Sequence, residues 1–329
     1  MKKDGKLGER RIIEIIQSRL DLMPRMSVPF GDDVSAYDVG NGSLAVLKTD
    51  MLVDKTDVPR GMSLWQAARK AVVMNVSDFA AKGVRPAAIL VSLGLPKGLS
   101  QKEIEEIGDG LNAGAREYSS YILGGDTGEA SDLVISVSLF GLARKGEVML
   151  RNGARPGDLV AVTGSFGKTF AGLRILLDKI HLPRKTRRVL VDSVLMPHAR
   201  LSEGLALNRT RAVTAAIDSS DGLAWSLHEI GKASKVGFLI DALPIADEVK
   251  GFAEKSRFDP VQLTLYGGEE YELVLTIKPE LWSRAEKAVQ EIGGKLLPAG
   301  KVTAEKSIVF KARGKKCVIQ PRGYEHFKT

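Results

Sequence analysis

The sequence predicts an α/β protein of mixed α+β type, organised in two domains. With 329 residues the chain is long enough for two hydrophobic cores. Strand-like apolar runs alternate with helix-like segments in both halves, and the stretch from Arg144 to Asp158 is rich in Gly, Arg and Pro. We therefore expect one domain at residues 1–145 and a second, α/β domain at residues 146–329.

The first half begins with helical periodicity and then alternates strands and helices. Ser43–Thr49 is an apolar run bounded by turn residues, which predicts a buried strand. Ser63 can cap a helix that ends at Gly83, ahead of Pro86. Further elements are predicted in this half: a strand at Ala87–Leu95, a helix at Lys102–Ser119, an apolar lead Tyr121–Leu123 into a glycine pair, and a strand at Leu133–Phe140.

The second half repeats the alternation. Strands are predicted at Leu159–Thr163, Val213–Ile217, Val236–Ile240, Glu272–Ile277 and Ser307–Phe310. Helices are predicted at Phe170–Leu177, in the segment Asp218–Ser234, and at Glu280–Ile292.

The composition is that of an ordinary globular protein, with 44% hydrophobic and 27% charged residues. No apolar stretch approaches the roughly 20 residues that span a bilayer, and the basic N-terminus continues as a charged helix, so we expect neither membrane contact nor a signal peptide. The single cysteine, Cys317, favours a cytoplasmic location. The net charge of +8 is dispersed, which favours a solvated surface over nucleic-acid binding and leaves attraction of anionic substrates open.

Short acidic clusters at the ends of apolar runs are the main functional signal. Carboxylates that converge at strand ends are suited to hold several Mg²⁺ ions against a polyphosphate. Any one of them alone is a common turn pattern, but together they indicate metal-dependent phosphoryl transfer. The clusters are Asp32-Asp33, Asp50, Asp78, Asp126, the Asp218/Asp221 pair and Glu269-Glu270.

Two of these clusters have an alternative, structural explanation. Asn75 and Asp78 share a helix face in an apolar run, where Asp78 would either bind a metal or pair with Lys82. Asp218 and Asp221 lie at a strand-to-helix junction, where helix capping explains one carboxylate more readily than two. We favour the metal interpretation for Asp78 and Asp218 and leave Asp221 open.

One phosphate-binding pattern is rejected. Gly164–Thr169 ends like a Walker A loop, but it has two residues between its glycines instead of four, so we expect a glycine-rich turn. Of the glutamates after Gly267-Gly268, one could project into a site while the other faces solvent.

The order of the blocks GDD, TD, NVSD, GGDT, R-x-GA-x-PGD, IDSSDG, GGEEYE and GYEHF closely resembles the thiamine-monophosphate kinases. This family belongs to the superfamily of aminoimidazole ribonucleotide synthetase and selenophosphate synthetase. The resemblance runs from about residue 28 to residue 327. It implies an N-terminal domain that binds metal and ATP and forms a β-barrel across a homodimer, with the nucleotide in the cleft beside the C-terminal domain.

The resemblance also implies roles for individual residues. Asp126, Asp218 and Arg151 would act in catalysis, and thiamine monophosphate would contact Glu269, Tyr324 and Asp57, which stands where many members carry a histidine. ATP would be bound by Gly125, Asp126, Arg151 and Ser220. The positions of the family's Mg²⁺ ligands fall on Asp33, Lys48, Thr49, Asp50, Asp78, Asp126, Asp218 and Asp221. A charged Lys48 has no lone pair, so it could contribute only its backbone oxygen.

The function expected from this resemblance is Mg²⁺-assisted transfer of the γ-phosphoryl group of ATP to thiamine monophosphate. Two alternatives stay open. One is a sister activity of the superfamily, such as ATP-driven purine cyclisation. The other is a nucleotide-binding regulator without catalytic activity.

Overall fold

A computed structural model describes residues 7–178, 180–312 and 314–327, and its strands form two sheets. The first sheet has the strand order β1-β2-β5-β3-β4. Its strands are β1 (Ser35–Gly40), β2 (Ser43–Val53), β3 (Pro86–Leu95), β4 (Ile122–Glu129) and β5 (Val134–Arg144). The helices of this half are α1 (Glu9–Gln17), the single turn α2 (Asp54–Asp57), α3 (Leu64–Lys82) and α4 (Gln101–Glu117).

The second sheet has the order β12-β11-β8-β10-β6-β9-β7 and is antiparallel except between β8 and β11. Its strands are β6 (Leu159–Val162), β7 (Val213–Asp218), β8 (Gly237–Ile240), β9 (Leu273–Ile277), β10 (Leu297–Thr303), β11 (Ile308–Ala312) and β12 (Lys315–Val318). The helices are α5 (Lys168–Leu177), α6 (Arg184–Leu195), α7 (Leu201–Thr210), α8 (Leu223–Ser234), α9 (Asp247–Ser256), α10 (Pro260–Tyr266) and α11 (Trp282–Gln290), which a 3₁₀ turn at Pro279–Leu281 precedes.

Helix α3 begins and ends as the sequence predicts. The Ser63 hydroxyl accepts a hydrogen bond from the Gln66 amide at 3.2 Å, while the Gln66 side chain accepts one from the Ser63 amide at 2.9 Å. Gly83 ends the helix with φ +64°, a left-handed conformation that glycine adopts without steric cost. The whole length of α3 is thereby fixed between two defined caps.

Both sheets share one hydrophobic core with α3. Successive residues of a strand point to opposite faces, so Leu273 and Leu275 of β9 face this shared core while Val274 faces a second core against α8. A third, smaller cluster lies between α5, α6 and α9. Because α3 contacts β2 and β5 as well as β7, it carries side chains from one sheet towards the other.

The first sheet is covered on one face only. Leu44, Val46 and Leu52 of β2 are buried towards α3, whereas Leu47, Thr49 and Met51 on the other face of the strand are exposed. The strand register places a group of exposed apolar side chains on the other face: Tyr37, Leu47, Met51, Leu90, Phe140 and Leu142. Strands β1 and β4 are the edges, and within the described residues no sheet closes into a barrel.

Most predicted strands and helices are present, with shifts of a few residues at their ends. The largest difference is the Gly124-Gly125-Asp126 segment, expected after an apolar lead and found inside strand β4. The short elements α6, α7, α9, α10, β1, β10 and β12 were not predicted. Among the described residues, every helix is too short or too polar to cross a bilayer.

Because α3 packs closely against α4 at Gly110, we expect replacement of this helical glycine by alanine to destabilise the protein. A Cβ atom at Gly110 would lie 2.2 Å from the Trp65 carbonyl oxygen and 2.9 Å from the Ala68 side chain. We expect Gly110→Ala to lower the free energy of unfolding by about 1–3 kcal/mol, because steric overlap outweighs the gain in helix propensity. Urea denaturation would measure the change.

Gly108, in the same helix, is the matched control. It is exposed, with no atom within 4 Å of an added Cβ. Gly108→Ala should raise the free energy of unfolding by about 1 kcal/mol. Equal effects of the two substitutions would contradict the packing explanation.

Candidate active site

Three predicted metal ligands meet in the shared core. Oxygen atoms of Asp33, Asp78 and Asp218 all lie within 4.8 Å of one another. Asp33 precedes β1, Asp78 is on α3 and Asp218 ends β7, so widely separated parts of the chain converge here. Their exposed fractions are only 3%, 7% and 5%. We refer to these three residues as the carboxylate cluster.

Lys82 is the buried cation behind this cluster. Its ammonium lies 2.6 Å from Asp32 Oδ1 and 2.7 Å from Asp33 Oδ2, and it donates a hydrogen bond to the Ala216 carbonyl at 2.9 Å. The pairing of Lys82 with Asp78 that the sequence allowed is not formed. Asp78 instead lies 3.0 Å from the Lys48 ammonium.

Arg151 completes the surroundings of Asp33. Its Nε donates to Asp33 Oδ1 at 2.7 Å, its Nη1 to the Gly31 carbonyl at 2.9 Å, and its backbone amide to Asp32 Oδ2 at 3.0 Å. Burial alone would raise the pKa of Asp33, but Arg151 and Lys82 outweigh it and hold that pKa below its usual value. Asp33 is therefore a stable anion in the fold.

In contrast to Asp33, Asp218 and Asp78 have pKa values above the usual value. Burial, followed by the charge of Asp33, raises the pKa of Asp218 to about 6, although Ser77 Oγ donates to its Oδ2 at 2.7 Å. Burial also raises the pKa of Asp78 well above its usual value, against the attraction of Lys48. Crowded, poorly hydrated carboxylates of this kind are stabilised by a bound cation.

The surrounding atoms fit a magnesium ion. Mg²⁺ prefers oxygen ligands and usually binds one or two carboxylates together with substrate phosphates. Besides the cluster, Asn75 Oδ1 and Ser219 Oγ are buried acceptors without a hydrogen-bond partner among the described residues. Asn75 lies one helical turn before Asp78, and Ser219 follows Asp218, so both flank the cluster. An orphaned buried oxygen is costly unless a ligand satisfies it.

The other predicted metal ligands lie outside the cluster. Asp50 is on β2, 3.8 Å from the Lys48 ammonium. The Thr49 hydroxyl faces the opposite side of the sheet, where it donates to the Val137 carbonyl at 3.2 Å. Asp221 has a 45% exposed side chain and contacts Arg10.

Asp126 and Gly125 lie further away, on the exposed edge strand β4. Strands β5 and β3 separate β4 from β2. A Cβ atom at Gly125 would overlap the Val91 carbonyl of β3, so close strand packing explains this glycine without a phosphate. The structure thus brings the Asp126 carboxylate to the sheet edge and not to the cluster.

A cavity of about 630 Å³ opens beside the cluster. Asp218, Ser220 and Arg151 line it, together with α1 and α8. Helix α1 buries none of its side chains, and the Arg10 guanidinium lies 3.6 Å from the ring centroid of Trp225 on α8. Arg10 also pairs with Glu229 and lies 3.8 Å from Asp221. The volume is suited to a small organic ligand such as a nucleotide.

The predicted substrate residues are joined by a lysine that the sequence analysis missed. Fully buried Lys70 donates to the Asp57 carbonyl at 2.8 Å and lies 2.5 Å from Glu269 Oε1. Burial, followed by the charges of Asp57 and Glu269, raises the pKa of Tyr324, which places all three side chains in one electrostatic environment. Tyr324 is 45% exposed and so can contact a ligand.

The segment Gly267–Glu272 connects this region to the cavity. The Glu269 amide donates to the Ser220 carbonyl at 2.6 Å, and the Tyr271 amide donates to the Ser219 carbonyl at 3.0 Å. Glu269 and Tyr271 adopt positive φ angles of 61° and 52°. Such conformations cost about 1–3 kcal/mol each and persist only where the surroundings enforce them.

Glu270 has a structural role. It is buried and accepts hydrogen bonds from the amides of Gly167 at 2.6 Å and Thr169 at 3.2 Å, at the start of α5. The glycine-rich segment Gly164–Thr169 is therefore a strand-to-helix turn, as expected, and Glu270 occupies two of its amides. The prediction that one glutamate faces solvent is only partly met, because Glu269 is half-buried against Lys70.

The Glu270 carboxyl predicts a pH-dependent stability. Burial, only partly offset by Lys168, raises its pKa from 4.5 to about 7. The folded state then binds the proton more tightly than the unfolded chain, so ionisation lowers the free energy of unfolding as pH rises. Between pH 5 and pH 8 we expect wild type to lose about 2–3 kcal/mol relative to Glu270→Gln, measured by urea denaturation.

Glu254→Gln, on the exposed surface of α9, is the control for the loss of one charge. Its pH dependence should follow wild type. If Glu270→Gln also follows wild type, the carboxyl is not protonated in the fold as inferred.

Comparison with protein-family models gives two matches along the chain. Residues 31–143 match the N-terminal domain of AIR synthase related proteins, and residues 155–313 match the C-terminal domain of the same family. The two matches together cover most of the chain. The acidic blocks from Asp32 to Glu270 fall within them.

Curated relatives and solved structures agree with this match. The chain is 38% identical to the thiamine-monophosphate kinase of Pyrococcus abyssi over 90% of both chains. It is 36% identical to that of Nitrosopumilus maritimus, over 98% of this chain and 100% of the relative. A solved structure of AaThiL complexed with AMPPCP and TMP has 28% identity, a TM-score of 0.84 and coverage of 97% of both chains. By fold and by sequence, the chain belongs to the AIR synthase related family and, within it, to the thiamine-monophosphate kinases.

Proposed function

We propose that the protein transfers the γ-phosphoryl group of ATP to thiamine monophosphate, giving thiamine diphosphate and ADP. The observation that carries this proposal is the buried carboxylate cluster beside a ligand-sized cavity. Asp57, Glu269 and Tyr324 form a second group of charged and aromatic side chains. Residues 218–221 join them, because the carbonyls of Ser220 and Asp221 accept backbone hydrogen bonds from Glu269 and Tyr324.

In this proposal Mg²⁺ is held first by the carboxylate cluster. The remaining ligands that the resemblance implies are Asp50, Asp221, Thr49, Asp126 and, through its backbone oxygen, Lys48. When bound, the metal neutralises the negative charge that builds up between the two reacting phosphates.

The protein's own side chains orient the reaction. The acceptor oxygen belongs to a phosphate that is already ionised, so no general base is required. Arg151 lines the cavity beside Asp218 and adds positive charge for the nucleotide phosphates, while Ser77 fixes the Asp218 carboxylate. Ser220 and Gly125 are the proposed nucleotide contacts, and Lys168 is a weaker candidate for a phosphate contact.

The proposed acceptor site fits the chemistry of thiamine monophosphate. Its thiazolium ring is a cation, which the carboxylates of Asp57 and Glu269 would attract. The half-exposed ring of Tyr324 would stack on the aromatic part of the molecule. Lys70 holds Glu269 in place from the buried side.

A chromatographic product assay with ATP, Mg²⁺ and thiamine monophosphate tests the proposal. We expect thiamine diphosphate and an equal amount of ADP. ADP and inorganic phosphate without thiamine diphosphate would show hydrolysis of ATP and a physiological acceptor other than thiamine monophosphate, as in the sister reaction. Binding of ATP without any product would favour a non-catalytic regulator.

Asp218→Asn tests the cluster within this assay. The substitution removes a buried negative charge where the metal is expected, so kcat should fall by about 10³-fold or more while the fold persists. Asp241→Asn, at an exposed position after β8, is the matched control and should keep wild-type kcat. A near wild-type rate for Asp218→Asn at saturating Mg²⁺ would remove this residue from the mechanism.

We also propose that the protein is a cytoplasmic homodimer whose first sheets pair into a β-barrel through domain 1–145, with 146–329 as the second domain. The exposed apolar face of the first sheet supports this, because faces of this kind are usually interfaces. A second copy would also cover the edge strand β4, so that Asp126 would face that copy. The free thiol of exposed Cys317 fits a reducing compartment.

Leu142→Lys tests the dimer. Leu142 is 61% exposed on the open face of the first sheet. Sedimentation velocity should give twice the chain mass of 35.6 kDa for wild type and one chain mass for the variant, because a buried lysine opposes association.

Leu177→Lys, at a 60% exposed position on α5, is the control and should remain dimeric. A dimeric Leu142→Lys protein would argue against this face as the interface.

A further inference from the structure

Lys48 places an ammonium group between two predicted metal ligands. It lies on β2, and its Nζ is 3.0 Å from Asp78 Oδ2 and 3.8 Å from Asp50 Oδ2. The side chain is only 19% exposed. A single cation therefore bridges two carboxylates at the rim of the carboxylate cluster.

Strand geometry keeps this cation in place. Side chains two residues apart in a strand share a face, so Lys48 and Asp50 both point to the side that α3 covers. There they meet Asp78, which α3 presents from the other direction. Burial disfavours the ammonium, but Asp78 and Asp50 outweigh this and raise the pKa of Lys48.

The cations around the cluster divide into two groups. Lys82 and Arg151 both contact Asp33, on the side of residues 31–33. Lys48 lies at the opposite edge of the cluster, where it contacts Asp78 and Asp50. Among the described residues, Asp218 contacts no cation within 4 Å and accepts a hydrogen bond from Ser77. Of the three carboxylates in the cluster, Asp218 is thus the one whose oxygens are not already paired with a cation in the described part of the chain and can coordinate a metal ion.

We propose that the Lys48 ammonium occupies the position of one divalent cation between Asp50 and Asp78, so that the protein binds one Mg²⁺ fewer than its carboxylates would otherwise hold. The inference rests on the Mg²⁺ site of the proposed function but not on the identity of the acceptor. The Lys48 ammonium is part of the chain, so unlike a bound Mg²⁺ ion it cannot leave the site together with the product. The Lys48 ammonium also lies 3.0 and 3.8 Å from the oxygens of Asp78 and Asp50, beyond the roughly 2.1 Å of a Mg²⁺ ligand.

Counting bound Mn²⁺ by electron paramagnetic resonance tests this inference, using the full chain without nucleotide. Lys48→Met removes the charge and leaves the two carboxylates available. We expect it to bind one more Mn²⁺ per chain than wild type. Lys48→Arg keeps the charge and should bind the same number as wild type.

Lys145→Met is the matched control. Lys145 pairs with Asp38 at 2.5 Å on the exposed part of the same sheet, so its loss frees one carboxylate far from the cluster. This variant should bind the wild-type number of Mn²⁺ ions. An additional ion there as well would mean that any freed surface carboxylate suffices, and would overturn the assignment to Lys48.

An equal or smaller number of Mn²⁺ ions in Lys48→Met would also overturn the inference. Should this variant fail to fold by circular dichroism, Lys48→Gln decides the question. It also removes the charge between Asp50 and Asp78, so it should bind one more ion than wild type, and a wild-type number of ions would contradict the inference. Wild type that binds Mn²⁺ but forms no thiamine diphosphate would overturn the proposed function alone, whereas a protein that forms thiamine diphosphate and gains no ion on Lys48→Met would overturn the inference alone.

Discussion

The buried ammonium of Lys82 is the interaction on which the site depends. It ties α3 to Asp32 and Asp33 and, through the Ala216 carbonyl, to β7 of the second sheet. Removing one partner from a buried ionic group costs about 3–5 kcal/mol, because the remaining charges are left uncompensated. Its contacts with Asp32 and Asp33, together with those of Arg151, hold the loop before β1 so that Asp33 reaches the carboxylate cluster.

Helix α3, which Lys82 anchors, also brings the side chains of the site together. Because it packs against both sheets, its polar side chains at Ser77 and Asp78 meet Asp218 from β7 and Lys48 from β2. The buried acceptor of Asn75 lies one turn earlier on the same helix. Polar groups in such an apolar setting are costly to fold. The same helix buries Arg69, Lys70 and Lys82, whose charges are paired, and the proposed Mg²⁺ site would satisfy its remaining polar groups.

Sequence patterns predicted the parts that follow from local rules. The caps of α3 and the apolar run of β2 are local, and the order of acidic blocks led to the family. The ion pairs were not predictable, because Lys82 pairs with Asp33 and Lys48 with Asp78 only through the way distant segments of the chain meet. The continuation of strand β4 beyond Leu123 was missed because its glycines are typical of turns, whereas here Gly125 allows close approach to β3. The contributions of Lys70 and Ser77 were missed for the same tertiary reason.

Helix α1 forms a wall of the cavity without contributing a buried side chain. Its attachment to α8 relies on Arg10, which contacts Trp225, Glu229 and Asp221. Attractions between partly exposed charges weaken with ionic strength, since the screening length at physiological salt is only about 8 Å. The hydrophobic core responds in the opposite direction to many salts. A rise in ionic strength should therefore weaken the attachment of α1, and so loosen this wall of the cavity, without weakening the hydrophobic core of the protein.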